Sequence, residues 1–281
     1  MSISPKISLI TPCYNSEKTL EKTLQSIFDQ NFEEWEVLIV NDGSTDGTEE
    51  IALKWVQKDP RFKYFYKENG GLGKARNYGI ERAKGTYILP LDSDNLIEKD
   101  FAKKAMRIFD KDVNVGVVHG YAEYFGEKEG LWIVDDFNLQ QILVHNYIDA
   151  CAIFRKTLWE MVGGYDENMP FQGHEDWEFW ISLANVKTTF FNLHQVTFKY
   201  FVSNTSMIHS FTNNMVFLNQ DYIVKKHSLL FHKEYKKNVQ QLEWQRMDHL
   251  RKLKSRKFAL DLFLKTFFRL SIFKSFKNTR K

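Results

Sequence analysis

Four short apolar runs open the chain, and a polar, turn-rich cluster follows each of them. Ile7 to Ile10, Trp35 to Val40, Phe62 to Tyr66 and Tyr87 to Leu91 read as strands. Between them Glu17 to Asp29, Thr48 to Lys58 and Leu72 to Ala83 read as helices; in the first, Leu20, Leu24, Ile27 and Phe28 recur at helical spacing. Strand alternating with helix predicts an α/β fold with a mostly parallel sheet and helices on its faces. Further on, Val115 to Tyr124, Thr188 to Phe191 and Val196 to Tyr200 read as short strands, Gly163-Gly164-Tyr165 as a turn, and Trp177 to Ala184 as a helix. Beyond Phe211 the pattern is helical. The expected organisation is one domain over residues 1–210, with halves of about 1–110 and 111–210, and a helical region over 211–281.

In such sheets ligands bind beyond the carboxyl ends of the strands, so the clusters after each strand are the residues to read. They are Thr11-Pro12-Cys13-Tyr14-Asn15, Asn41-Asp42-Gly43-Ser44, Asn69-Gly70-Gly71 and Asp92-Ser93-Asp94. Asp92 and Asp94 stand two apart; in extended backbone that spacing turns both carboxylates to one side. Two hard oxygen ligands so placed suit Mg²⁺ or Mn²⁺ against a diphosphate. The alternative is a solvated turn with Asn95 capping the next helix. Asp42, at a strand tip, could accept from a nucleobase N–H, whereas Ser44, Asp46 or Thr48 read as caps of the following helix. Asn69 to Asn77 joins a glycine-rich turn to a basic helix start; the helix N-terminus and Arg76 favour an anion, or the segment is an ordinary strand-to-helix turn. Asp176, within Gly173-His174-Glu175-Asp176-Trp177, is either a charge favoured by a helix dipole or a general base for a hydroxyl. Trp177 and Trp180 are either a platform for a sugar ring or core.

These clusters resemble, in order and spacing, the family 2 glycosyltransferases, which share the GT-A fold. The resemblance runs from about Lys6 to Met207, and also includes Gly73-Lys74-Ala75-Arg76-Asn77-Tyr78-Gly79 and Gly163-Gly164-Tyr165-Asp166. It implies a Rossmann-like nucleotide-binding mixed sheet and transfer of a sugar from a nucleotide-sugar, usually a UDP-sugar. It places Pro12, Tyr14, Asp42 and Asn69 around the base and ribose, Arg76 near the same pocket, and Asp92 and Asp94 at the donor and metal. Asp176 becomes the base of an inverting displacement, with Glu175 beside it. In one respect the chain departs from the family. Many bacterial members carry Tyr-Arg-x-His-x-x-Ser-Met after the base; here the stretch is Tyr200 to Met207, with Phe201 for the Arg and Ser203 for the His. Arg155 or His209 are the candidate substitutes.

Composition changes the picture mainly at the C-terminus. The net charge of +3 hides 12 Lys/Arg against 2 acids over residues 246–281, which leaves 27 bases and 34 acids in the rest. Along residues 257–277, Phe258, Leu262, Phe263, Phe267, Leu270 and Phe273 can share an apolar face, with Asp261, Lys265 and Arg269 as a polar stripe. That pattern suits a helix lying on an anionic membrane surface, or else one packed on the body. The acidic body and the lack of a recognition motif argue against nucleic acid. The aromatic share of 15% fits a large aromatic core or ring binding. Cys13 and Cys151 give neither a disulfide framework nor zinc spacing, which points to a reducing compartment. The expected protein is a cytoplasmic enzyme, peripheral at the inner face of the cell membrane, with a glycan or lipid-linked acceptor. The rivals are a non-catalytic membrane-docking module that kept the fold, and a glycoside hydrolase built on paired carboxylates. A nucleotidyltransferase would carry a Gly-rich, basic loop after the first strand, where this chain has Thr11 to Asn15.

Overall fold

The computed structural model describes residues 4–203 and 211–272. It divides into two compact units, residues 1–227 and 228–281. The first unit is built on a nine-stranded mixed sheet. Its parallel part comprises β1 (Ile7–Cys13), β2 (Trp35–Asp42), β3 (Phe62–Lys67) and β4 (Tyr87–Pro90), in the order β3-β2-β1-β4. The first two are buried along their whole length, and their polar members Ser8 and Glu36 bond to each other at 2.7 Å. The helices α1 (Leu20–Phe28), α2 (Thr48–Lys58) and α3 (Leu72–Arg82) cross between them. Leu20, Leu24 and Ile27 of α1 are fully buried in the main core with Trp55 and Phe62. Truncating Leu24 to Ala there would cost about 2–5 kcal/mol. On the other side, α3 lies close to β1 and β2 because position 79 is glycine; a Cβ there would stand 2.7 Å from the Ile10 side chain.

Past β4 the sheet turns mixed. A two-residue strand β5 (Leu96–Ile97) and helix α4 (Phe101–Lys111) lead to the long strand β6 (Val115–Gly126) and the short β7 (Gly130–Trp132). A single turn, α5 (Leu139–Ile142), precedes β8 (Ile153–Arg155), α6 (Lys156–Val162), α7 (Glu175–Asn185) and β9 (Thr189–Val202). Strand β8 runs antiparallel between β4 and β6, and β9 lies parallel to β6 and antiparallel to β5. The two strands expected at Thr188 to Phe191 and Val196 to Tyr200 are thus one strand. It is interrupted by a bulge where His194 takes φ +52°, which shifts the register and breaks the alternation.

Helix α8 (Asn213–Lys226) belongs to the first unit, so the compact boundary falls after it rather than at 210/211. Its polar side chains explain the difference: Asn219, Tyr222 and Lys226 all bond to the segment between α6 and α7. The second unit holds α9 (Ser228–Leu253) and α10 (Arg256–Phe268). Leu262, Phe263, Phe267 and Leu270 are exposed, as an apolar face for an external surface requires. Asp261 differs from the solvated stripe expected of it: it is buried and accepts from Ser271 Oγ and Ile272 N–H. Phe273, at the end of that face, lies outside the described residues. Among the described residues no helix is long and apolar enough to cross a membrane.

Candidate active site

The ends of β1, β2 and β4, the turn before α3 and the start of α7 supply the site. Asp42, at the tip of β2, is buried and accepts from Gly70 N–H (2.9 Å) and Gly71 N–H (2.8 Å), and Lys67 pairs with it. Its carboxylate therefore shapes the glycine turn, and any nucleobase contact must share it with those donors. Asn69 is exposed and donates to the Asp42 carbonyl at 3.0 Å. Pro12 is buried in β1, and Tyr14 is 57% exposed just beyond it. Gly47, not Asp46, is the N-cap of α2; Asp46 closes a local turn just before it, accepting from Thr48 N–H at 3.0 Å.

Asp92-Ser93-Asp94 is not extended. Asn95 N–H returns to the Asp92 carbonyl at 3.1 Å, so the motif is a turn just past β4, and the spacing argument from strand geometry does not apply. Burial first, and then the negative charge of Asp92, raise the Asp94 carboxyl to about 7. Asn95 caps no helix. Its buried side chain accepts from Phe201 N–H at 2.9 Å and ties the end of β9 to this turn.

Arg76 sits on α3 with 1% exposure and bridges two elements: one nitrogen donates to Asp92 Oδ1 (2.8 Å), another to Glu175 Oε1. Its charge is thus engaged by carboxylates and joins the donor strand to the start of α7. Glu175 is buried and also accepts from Gly173 N–H at 2.7 Å. Next to it, Asp176 is held by Trp177 N–H (2.7 Å) and Asn146 Nδ2 (3.0 Å). Burial first, then Glu175, pushes its carboxyl well above the usual range.

Sequence reasoning missed Asp149. Register places it beside the end of β4, because β8 runs antiparallel with Ile88 opposite Phe154. Burial, followed by Asp92, raises its carboxyl to about 7. No motif marks it; the only signal was one acid just before the buried run 150–154. Trp177 and Trp180 are core, at 4% and 0% exposure, and their indole N–H groups donate to Ile142 O and Ile148 O. Arg155 does not replace the missing Arg. It bonds Val115 O and Tyr87 Oη, and Tyr87 begins β4, about 16 Å of strand before Asp92. His209, and the stretch Asn204 to Met207, lie outside the described residues.

The donor set for a metal is all carboxylate oxygen. Among the described residues no cation pairs with Asp94, and one oxygen of Asp92 faces Arg76. No group of three or more His, Cys, Asp or Glu could hold a metal by itself among those residues. Two hard ligands with the remaining shell left to diphosphate and water fit Mg²⁺ or Mn²⁺.

A mixed sheet with a crossover nucleotide-binding half, a post-strand Asp-x-Asp and an acidic helix start define a GT-A glycosyltransferase. The chain belongs to glycosyl transferase family 2, whose family model matches residues 8–163. It is 30% identical over 229 residues to an uncharacterized glycosyltransferase of Rickettsia typhi, covering 77% of this chain and 68% of that one. It is 43% identical over 103 residues to the putative teichuronic acid biosynthesis glycosyltransferase TuaG of Bacillus subtilis, covering 36% of this chain and 41% of TuaG. Among solved structures, S. aureus TarS in complex with UDP-GlcNAc superposes with a TM-score of 0.64 at 25% identity, covering 74% of this chain and 61% of that one. The chain therefore spans less than two thirds of TuaG and of that TarS chain.

Proposed function

We propose that the protein is an inverting, metal-dependent glycosyltransferase that uses a UDP-sugar and delivers the sugar to a hydroxyl of a glycan or lipid-linked acceptor. The observation that carries this reading is the Arg76 bridge, which ties Asp92, two residues from Asp94, to Glu175, the neighbour of Asp176. The TarS complexes with UDP and UDP-GlcNAc support the choice of donor.

Pro12, Tyr14, Asp42 and Asn69 bind the nucleoside end, and Asp92 and Asp94 face the diphosphate. Mn²⁺ or Mg²⁺ held by Asp94 and Asp92 would neutralise the leaving diphosphate. Asp176 takes the proton of the acceptor hydroxyl as its oxygen bonds to the anomeric carbon. The bond from that carbon to the β-phosphate oxygen breaks on the opposite face, and UDP leaves. Burial, then Glu175, raises the Asp176 pKa, the direction of greater proton affinity in a base. Asn146 and Trp177 N–H hold its two oxygens in place.

The second unit docks the enzyme on the anionic inner face of the cell membrane, with its exposed Phe and Leu side chains in the interface and its excess Lys and Arg over the headgroups. Calorimetric titration of UDP with and without Mn²⁺ tests the donor reading; heat that does not depend on metal would sink it. For the membrane reading, co-sedimentation with phosphatidylglycerol vesicles but not with phosphatidylcholine vesicles is expected.

A further inference from the structure

The segment between α6 and α7 carries no regular structure over residues 163–174, yet it delivers Glu175 and Asp176. Two asparagine side chains pin it. Asn77, on α3, holds its first part: Oδ1 accepts from Tyr165 N–H and Trp159 Nε1, and Nδ2 donates to Tyr165 O and Glu167, all at 2.9 Å. Asn219, on α8, holds its last part and is 0% exposed. Its Oδ1 accepts from Phe171 N–H (2.9 Å), and its Nδ2 donates to Phe171 O (2.9 Å) and lies 3.0 Å from His174 Nδ1.

That arrangement has one consistent proton assignment. Phe171 N–H needs an acceptor and Phe171 O a donor, which fixes the amide orientation. The remaining Nδ2 proton points at His174 Nδ1, so Nδ1 is the bare nitrogen and the ring proton sits on Nε2. Burial lowers the His174 pKa, in keeping with a neutral ring. The loop is next coupled to the acids: Gly173 N–H reaches Glu175 Oε2, and Glu175 Oε1 meets Arg76, which holds Asp92.

We propose that Asn219 is a positioning residue for the reaction, setting the 171–174 backbone and the neutral His174 tautomer, and through Glu175 the placement of Asp176 against the donor. This rests on the reading of Asp176 as the base. An amide is required at this position, because it must present one acceptor and two donors at once.

The test uses the full chain, with Mn²⁺ and UDP-GlcNAc, and reads UDP binding, UDP release and amide exchange. Replacing Asn219→Leu keeps the branching at Cγ and removes all three bonds. Expected are faster exchange at Phe171 with Tyr165 still protected, a UDP Kd within about twofold, and UDP release down by about 100-fold, the scale of a 1 Å misplacement. Asn219→Asp keeps the acceptor and loses the donors. The neutral His174 can restore the third bond by moving its ring proton to Nδ1, but the Phe171 carbonyl is left without its donor, so the imidazole nitrogen chemical shifts should report an Nδ1–H ring and UDP release should stay low. Unchanged UDP release in both variants overturns the proposal, as does a His174 ring proton that stays on Nε2 in Asn219→Asp. Failure of the wild type to bind or turn over UDP-GlcNAc overturns the donor reading instead, and the exchange data still report whether Asn219 holds the loop.

Discussion

The carboxylates of the site divide into an ion-paired side and one without a bound cation. On the first side Asp42 is paired with Lys67 and two backbone N–H groups, and Asp92 with Arg76. On the second, Asp94, Asp149 and Asp176 have no cation bound to them among the described residues, and all three have raised pKa values. The first set is neutralised by the fold and builds a rigid frame. The second holds charge that the fold leaves uncompensated, as expected where a cation and a proton are to be handled.

The sharpest way to break that contrast is Asp176→Asn. Transfer should fall by about 10³-fold, within the range for general-base catalysis, while UDP affinity stays near wild type. Parallel kinetics and calorimetry read both, and a variant that kept its turnover would erase the distinction. Next is Arg76→Met, which removes the cation that pairs with both Asp92 and Glu175. Breaking a buried pair from one side costs about 3–5 kcal/mol, read by urea unfolding, and adding Glu175→Gln should recover part of it.

A smaller effect separates the sides by pH. The folded pKa of Asp149, about 7, is above its unfolded value of 3.8. Between those values the folded state binds the extra proton, so stability is present below pH 3.8 and is lost as pH rises through 7. Asp149→Asn should flatten that slope in metal-free protein and raise Tm above pH 7. His119, on β6, has the opposite sign. It is buried with both ring nitrogens unpartnered, and burial lowers its pKa from 6.5 to about 4. Stability is lost as pH falls from 6.5 through 4, and His119→Gln should lessen that loss in thermal melts taken across the same range.

The parallel half of the fold was legible because its signals are local. The helix Thr48–Lys58 has the bounds read from the sequence, and the buried strands read as predominantly apolar runs. The antiparallel half was harder to read. Strand β8 has three residues and no alternation to detect, and the bulge at His194 splits β9 into two apparent strands. Within the site, the acids followed strand ends and could be named. Their partners could not, because Arg76 meets Glu175, and Asn219 meets Phe171, across long stretches of sequence. The Asp-x-Asp spacing led to a pair of facing carboxylates through strand geometry, whereas the backbone there is a turn.

The loop that precedes α7 also reaches the turn that precedes α3. Gln172 accepts from Leu72 N–H at 2.8 Å and lies over Gly71, where an added Cβ would fall 2.0 Å from its amide nitrogen. A chimera cut between the nucleotide-binding half and the acceptor half would divide this contact. An acceptor half transplanted from a relative would seat only if it brought a side chain able to cap Leu72 and a partner half with glycine at 71. The two halves are therefore exchangeable as a matched pair, and a library built by recombining them should be rich in misfits wherever those two positions come from different parents.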